Sequence, residues 1–122
     1  MPQTDLLTRT FAFACQAVAL YRQLVRGGGA GRVLARQFLN AATSLGANEE
    51  EAQAAGSHAD FIAKQAIALR EARESCYWLR LFEHTAIGSP QAIAPMRREA
   101  GELVAILSTV VKNARANARN AR

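Results

Sequence analysis

Apolar and polar residues recur along this chain every three to four positions, and no stretch alternates in the every-second-residue manner of a strand. Four helical segments are predicted from that spacing. The first covers about 5–26, with Leu6, Leu7, Phe11, Ala14, Val18, Tyr21, Leu24 and Val25 as its apolar positions. Thr4 or Asp5 can cap its start. The run RGGGAG, with its glycines between Gly27 and Gly31, supplies the exit. The second segment covers about 32–55, with Leu34, Phe38, Ala41, Leu45, Asn48, Ala52 and Ala55 on one face. Most of these side chains are small, so another helix can come close. Gly56 and Ser57 break it, and Ser57 or His58 can cap the next helix.

The third segment, about 59–84, carries two stripes. Phe61, Ile62, Leu69, Ala72, Cys76, Leu79 and Phe82 form one; Ile67, Glu71, Glu74, Trp78 and Leu81 form another beside it. Gly88, Ser89 and Pro90 punctuate the chain, and the fourth segment covers about 90–114. Its face is Ile93, Met96, Ala100, Leu103, Val104, Leu107, Val110 and Val111. Residues 115–122 continue the basic run KNARANARNAR, whose apolar residues are all alanine, and this tail is expected to fray. Four helices joined by short turns predict an all-α, antiparallel up-down-up-down four-helix bundle in one domain.

Composition agrees with that reading. Half of the 122 residues are hydrophobic and only three are proline, so long stretches are free of helix breakers. The net charge of +5 points to an anionic partner: nucleic acid first, a membrane surface second. A soluble domain that is merely basic fits it too. Cys15 and Cys76 fall in apolar helical patterns and read as small core residues rather than a disulfide framework. The opening MPQTDLLTRT lacks a basic start followed by an apolar run, and no stretch has the length to cross a bilayer. A cytoplasmic protein without membrane contact is the expectation.

Candidate chemistry concentrates in EARESCYWLR, residues 71–80. Glu71 and Glu74 lie three apart and share a helix face. Di-metal sites in bundle cores add a Glu-x-x-His from each of two helices, and neither His58 nor His84 stands three residues after a glutamate. Local pairing, such as Arg70 with Glu74, is the simpler use, and neither a metal nor a cofactor is expected. Tyr77 and Trp78 suit either a subunit contact, where a ring is buried and its polar atom finds a partner, or ordinary core. Asn48, on an apolar face, either fixes register or lies at the edge of that face. The acidic run Glu49 to Glu51 is expected to be solvated. Ser44, Ser57 and Ser75 have no informative histidine nearby, and GGGAG lacks the Lys and Ser or Thr of a phosphate loop. A non-enzymatic protein is expected.

The run Gln37 to Phe82 resembles the bacterial four helix bundle protein family, which includes proteins encoded by intervening sequences within 23S rRNA genes. The carrying residues are Ser44, Gly46-Ala47-Asn48, Glu51-Ala52, Ser57, Asp60-Phe61, Lys64, Ile67-Ala68-Leu69, Glu71, Glu74 and Tyr77-Trp78-Leu79. Glu49 and Glu50 stand where a more apolar residue would be expected, Arg70 stands for the usual Lys, and Ser75 for the usual Thr. The resemblance implies a homopentamer of antiparallel bundles arranged as a barrel. It also implies kinship with the accessory variability protein of diversity-generating retroelements, which binds nucleic acid and a reverse transcriptase through a basic surface. It favours a structural or interface role for Asn48, Phe61, Glu71, Glu74, Tyr77 and Trp78.

Topology adds one inference about charge. In an up-down bundle, one pole would gather Arg22, Arg26, Arg32, Arg36, Arg80, Arg97 and Arg98 against Glu83, Glu99 and Glu102. The other would hold Asp5, Glu49, Glu50, Glu51 and Asp60, with Arg9, Lys64 and the tail. Arginine's planar fork suits phosphate. The expected role is therefore an oligomeric scaffold binding RNA or DNA by phosphate contacts. The alternative is an adaptor ring that docks a partner protein, such as a reverse transcriptase, without touching nucleic acid itself.

Overall fold

The computed structural model describes residues 3–120, apart from the side chains of Gln3 and Thr4. The described chain is all-helical: α1 spans Gln3–Leu24, α2 Gly29–Gln53, α3 His58–His84 and α4 Pro90–Asn120. A single 3₁₀ turn, Val25–Gly27, follows α1, and no strand occurs among the described residues. Asp5 sits in the first turn of α1 rather than ahead of it, where a carboxylate complements the helix dipole, and the Thr4 side chain lies outside those described. Only part of the glycine run lies between helices, since α2 takes in Gly29 and Gly31.

Local chemistry accounts for the starts of α3 and α4. Ser57, with extended backbone, accepts the Asp60 N–H on its side-chain oxygen at 3.1 Å. Ser89 precedes Pro90 and receives Ala92 N–H on its hydroxyl at 3.3 Å, the serine-then-proline order that opens a helix. Between α3 and α4, Gly88 has φ of 78°. The positive φ favours glycine, and a Cβ there would lie 2.7 Å from Ile93 Cδ1 and 2.9 Å from Leu24 Cδ2, so those two side-chain ends would have to shift.

One core is shared by all four helices. α2 packs on α1 and on α3, and α3 packs on α4, whereas α1 and α4 meet sparingly. Phe13, Phe38 and Phe82, from three different helices, form an edge-to-face series with centroids 6.2 and 6.0 Å apart. Gly46 brings α2 close to α1: a Cβ on it would sit 3.4 Å from Thr10 O. On α4 the buried face is Ile93, Met96, Ala100, Leu103, Leu107, Val111 and Ala114.

Two expectations fail in the packing. The inner face of α1 is Leu6, Thr10, Phe13, Ala17, Leu20 and Leu24 rather than the ladder through Phe11, which is 65% exposed. Cys15 is exposed as well, not a core residue, and Cys76 is half-buried. Both ladders carry apolar residues, and the one through Phe13 is the one that packs inward. Residues 115–120, expected to fray, continue α4 as helix, helped by Ala114 being buried and its carbonyl accepting from His58 Nε2 at 3.0 Å. Arg122 lies outside the described residues.

Candidate nucleic-acid interface

The connection between α1 and α2 lies against the connection between α3 and α4. A Cβ on Gly31 would sit 3.7 Å from Ile87 Cγ2, and Leu24 reaches Gly88. This contact gathers the end of α1, the start of α2, the end of α3 and the start of α4. Arg22, Arg26, Arg32, Arg36, Arg80 and Arg98 on those segments are exposed. Arg97 is half-buried and pairs with Glu83 at 2.5 Å. Arg80, Glu83, His84 and Arg97 line a shallow groove of about 430 Å³. Beside it, Tyr77, Arg80, Leu81 and His84 line a smaller one of about 150 Å³, so an exposed aromatic ring adjoins the basic surface.

The acidic side chains distribute differently from expectation. Glu99 and Glu102 do not face these arginines. Both are held by Arg9 of α1, whose Nη2 lies 2.6 Å from Glu99 Oε1 and 3.1 Å from Glu102 Oε1, while its Nε donates to Glu99 Oε2 at 2.9 Å. The carboxylates hold the Arg9 guanidinium above its already high ordinary range. Of the three acidic residues expected to oppose the arginines, Glu83 is the one that does.

Glu49 is a larger departure. It is not solvated: its exposure is 0%, and it sits on the inner face of α2 between Leu45 and Ala52. Gln53 Nε2 donates to Glu49 Oε2 at 2.5 Å, and Gln65 Nε2 donates to the same oxygen at 3.3 Å. Oε1 of Glu49 and Oε1 of Gln65 are buried and accept nothing from the chain. Burial pushes the Glu49 carboxyl up, the two amide hydrogen bonds oppose that, and the neighbouring Glu50 charge adds to it. Sequence reading missed Gln65 and Ser75 as well, although both fall on the ladder Gln65–Ala68–Ala72–Ser75–Leu79–Phe82 that lines the core. A polar residue interrupting an otherwise apolar ladder was the available signal.

The residues of the 71–80 stretch do not converge on one site. Glu71 is half-buried, 3.9 Å from Arg70, while Glu74 is exposed. Burial first, and the Glu74 charge second, raise the Glu71 carboxyl. Arg70 thus turns toward Glu71 rather than Glu74. Tyr77 is 50% exposed and meets Trp78 edge-on at 5.1 Å. Trp78 packs on the core, with its Nε1 buried and unpartnered. Asn48 bonds back within its own helix, Nδ2 donating to Ser44 O at 2.9 Å and to the Ser44 hydroxyl at 3.1 Å. Phe61 stacks on His58, far along α3 from Tyr77. Among the described residues no cluster of three or more metal-ligating side chains forms. No helix among them is long and apolar enough to cross a membrane.

The family model for the 23S rRNA-intervening sequence protein matches residues 3–109. The chain belongs to this 23S rRNA-intervening sequence family. A Bacteroides thetaiotaomicron VPI-5482 protein of unknown function, from the S23 ribosomal protein family, has a similar crystal structure. Its TM-score is 0.82 and its identity 33%, over 92% of this chain and 99% of that one. No curated protein matches the chain. The match to the family model stops at residue 109, so the last turns of α4, with Arg115 and Arg119, lie beyond it.

Proposed function

We propose that this member of the 23S rRNA-intervening sequence family is a non-enzymatic, cytoplasmic scaffold that binds RNA or DNA through arginine contacts to phosphate. The observation that carries the reading is the meeting of the two turns, with exposed arginines on all four segments around it and Glu99 and Glu102 drawn off to Arg9. Exposed guanidinium groups bind phosphate oxygens in pairs and read no sequence. Tyr77 beside Arg80 adds a ring on which a base can stack. In this reading the helices run up-down-up-down, each antiparallel to the next, and five copies close into a barrel that repeats the basic end around one rim.

The test is a salt titration of binding to a fluorescent RNA and a DNA oligonucleotide of equal length. Affinity is expected to fall steeply with salt, since each neutralised phosphate releases about one counterion. Replacing Arg22, Arg26, Arg32 and Arg36 by Glu should abolish binding and leave the helical signal intact. Ending the chain after Asn113 removes Arg115, Arg119 and Arg122 and should weaken binding less. Loss on truncation but not on charge reversal would transfer the role to the end of α4.

A second reading has its own support. Phe11, Val33 and Tyr77 are large apolar or aromatic side chains at 65%, 63% and 50% exposure. Such exposure suits protein contacts, either between copies or with a docked partner such as a reverse transcriptase. A chain that binds neither oligonucleotide at low salt would favour this adaptor role.

A further inference from the structure

A cavity of about 640 Å³ opens beside the α2–α3 turn, lined by residues of all four helices. Its volume falls within the range of small-molecule sites. Leu6, Ile106 and Val110 give it apolar walls, and Phe61 stands at its side with His58 stacked on it, centroids 6.2 Å apart and planes 15° from parallel. The bond from His58 Nε2 to Ala114 O fixes that ring, because a carbonyl oxygen only accepts.

The polar part of the lining is Gln53 and Gln65 on one side, and Thr109, Asn113 and Asn117 of α4 on the other. Both glutamine amides donate to Glu49 Oε2, which does not line the cavity. An amide carries its nitrogen and oxygen on opposite branches, so a carboxylate that captures the nitrogen orients the oxygen away from itself. Gln65 is 0% exposed, lines the cavity, and its Oε1 accepts nothing from the chain. An unfilled buried acceptor is costly unless a donor reaches it. The neutral donors on Glu49 leave its negative character one amide behind that oxygen, and this selects a charged donor over a neutral one.

We propose that this cavity binds a small aryl or alkyl amine, its apolar body against Phe61 and Ile106 and its ammonium on Gln65 Oε1. Glu49 is the positioning residue that sets the amide. The site lies at the far end of α2 from the arginine-rich turns, and it stands or falls independently of nucleic-acid binding.

Isothermal titration of the full chain with three indoles of matched shape tests the assignment: tryptamine, neutral tryptophol and indole-3-propionate. Tryptamine should bind about tenfold tighter than tryptophol, the ratio expected from one charge-assisted hydrogen bond, and the carboxylate weakest. The net charge of +5 does not favour an amine, but Glu50, Glu51 and Asp60 beside the α2–α3 turn do, so the loss of preference in a Gln65 variant is what assigns the order to that residue. Gln65→Met, close in volume, should erase the preference for the amine while leaving tryptophol binding within about twofold, since the apolar walls are unchanged. Equal affinity for tryptamine and tryptophol, or no binding by either at millimolar concentration, overturns the site. These two results come from the unaltered chain and do not depend on the variant folding. An amine preference that survives Gln65→Met overturns the role of Gln65.

Discussion

Glu49 shows how one side chain can run against its own sequence context. Flanked by Glu50 and Glu51, it belongs to a hydrophilic run; spaced four from Leu45 and three from Ala52, it belongs to the core ladder. The fold buries it, and burial disfavours the charged form. A carboxyl raised in the folded state adds stability that is fully present below its unfolded value, near 4.5, and is lost as pH rises through the folded value. Glu49→Gln keeps the shape and removes the charge. The variant should melt higher than the parent at pH 7.5, by about 1–2 kcal/mol, because an uncompensated buried charge is removed. That advantage should shrink toward zero as pH is lowered to 4.5. Paired thermal melts across this range check it, and a difference that does not change with pH would show Glu49 to be neutral throughout.

At the scale of elements, boundaries set by local chemistry are the most legible. Ser57 and Ser89 start their helices as serine caps do, and the α3 span differs from the sequence reading by one residue at its start. Faces are less legible. α1 contains two apolar ladders about 100° apart, and sequence alone offers no reason to prefer the one through Phe13. The α4 tail departs from expectation for a related reason: alanine and arginine favour helix, but helix needs an anchor, which Ala114 and His58 provide only once folded. The turn at Gly88 gives the clearest element-scale prediction. Gly88→Ala must adopt positive φ and push its methyl into Ile93 and Leu24. A loss of about 2–3 kcal/mol in chemical denaturation is expected from strain and overpacking together. A variant as stable as the parent would mean that this turn reshapes freely.

The whole molecule carries the assembly question. Trp78 packs on the core but leaves its Nε1 buried without a partner, and Tyr77 beside it is half exposed. Trp78→Phe removes the unpaired N–H together with part of the ring and should cost about 1 kcal/mol, whereas Trp78→Ala should cost about 3 kcal/mol through the larger cavity it leaves. Light scattering coupled to size exclusion should report a mass near five chains for the parent. If the ring also supports a subunit contact, Trp78→Ala should lower that mass and Trp78→Phe should not. A parent that runs as a monomer at micromolar concentration would remove the pentamer and its basic rim.

The helices, the Ser57 cap and the family were written in the sequence, because each depends on residues close together in the chain: apolar spacing, a serine before a helix, the ordered run from Ser44 to Leu79. The inner face of α1, the burial of Glu49 and Gln65, and the diversion of Glu99 and Glu102 to Arg9 were decided by the tertiary structure. The partners there are far apart in the chain, Arg9 and Glu99 by 90 positions. Packing, not period, chooses between two apolar ladders. Burial and ion pairing depend on which helices come together, and a linear pattern carries no distance between its distant parts.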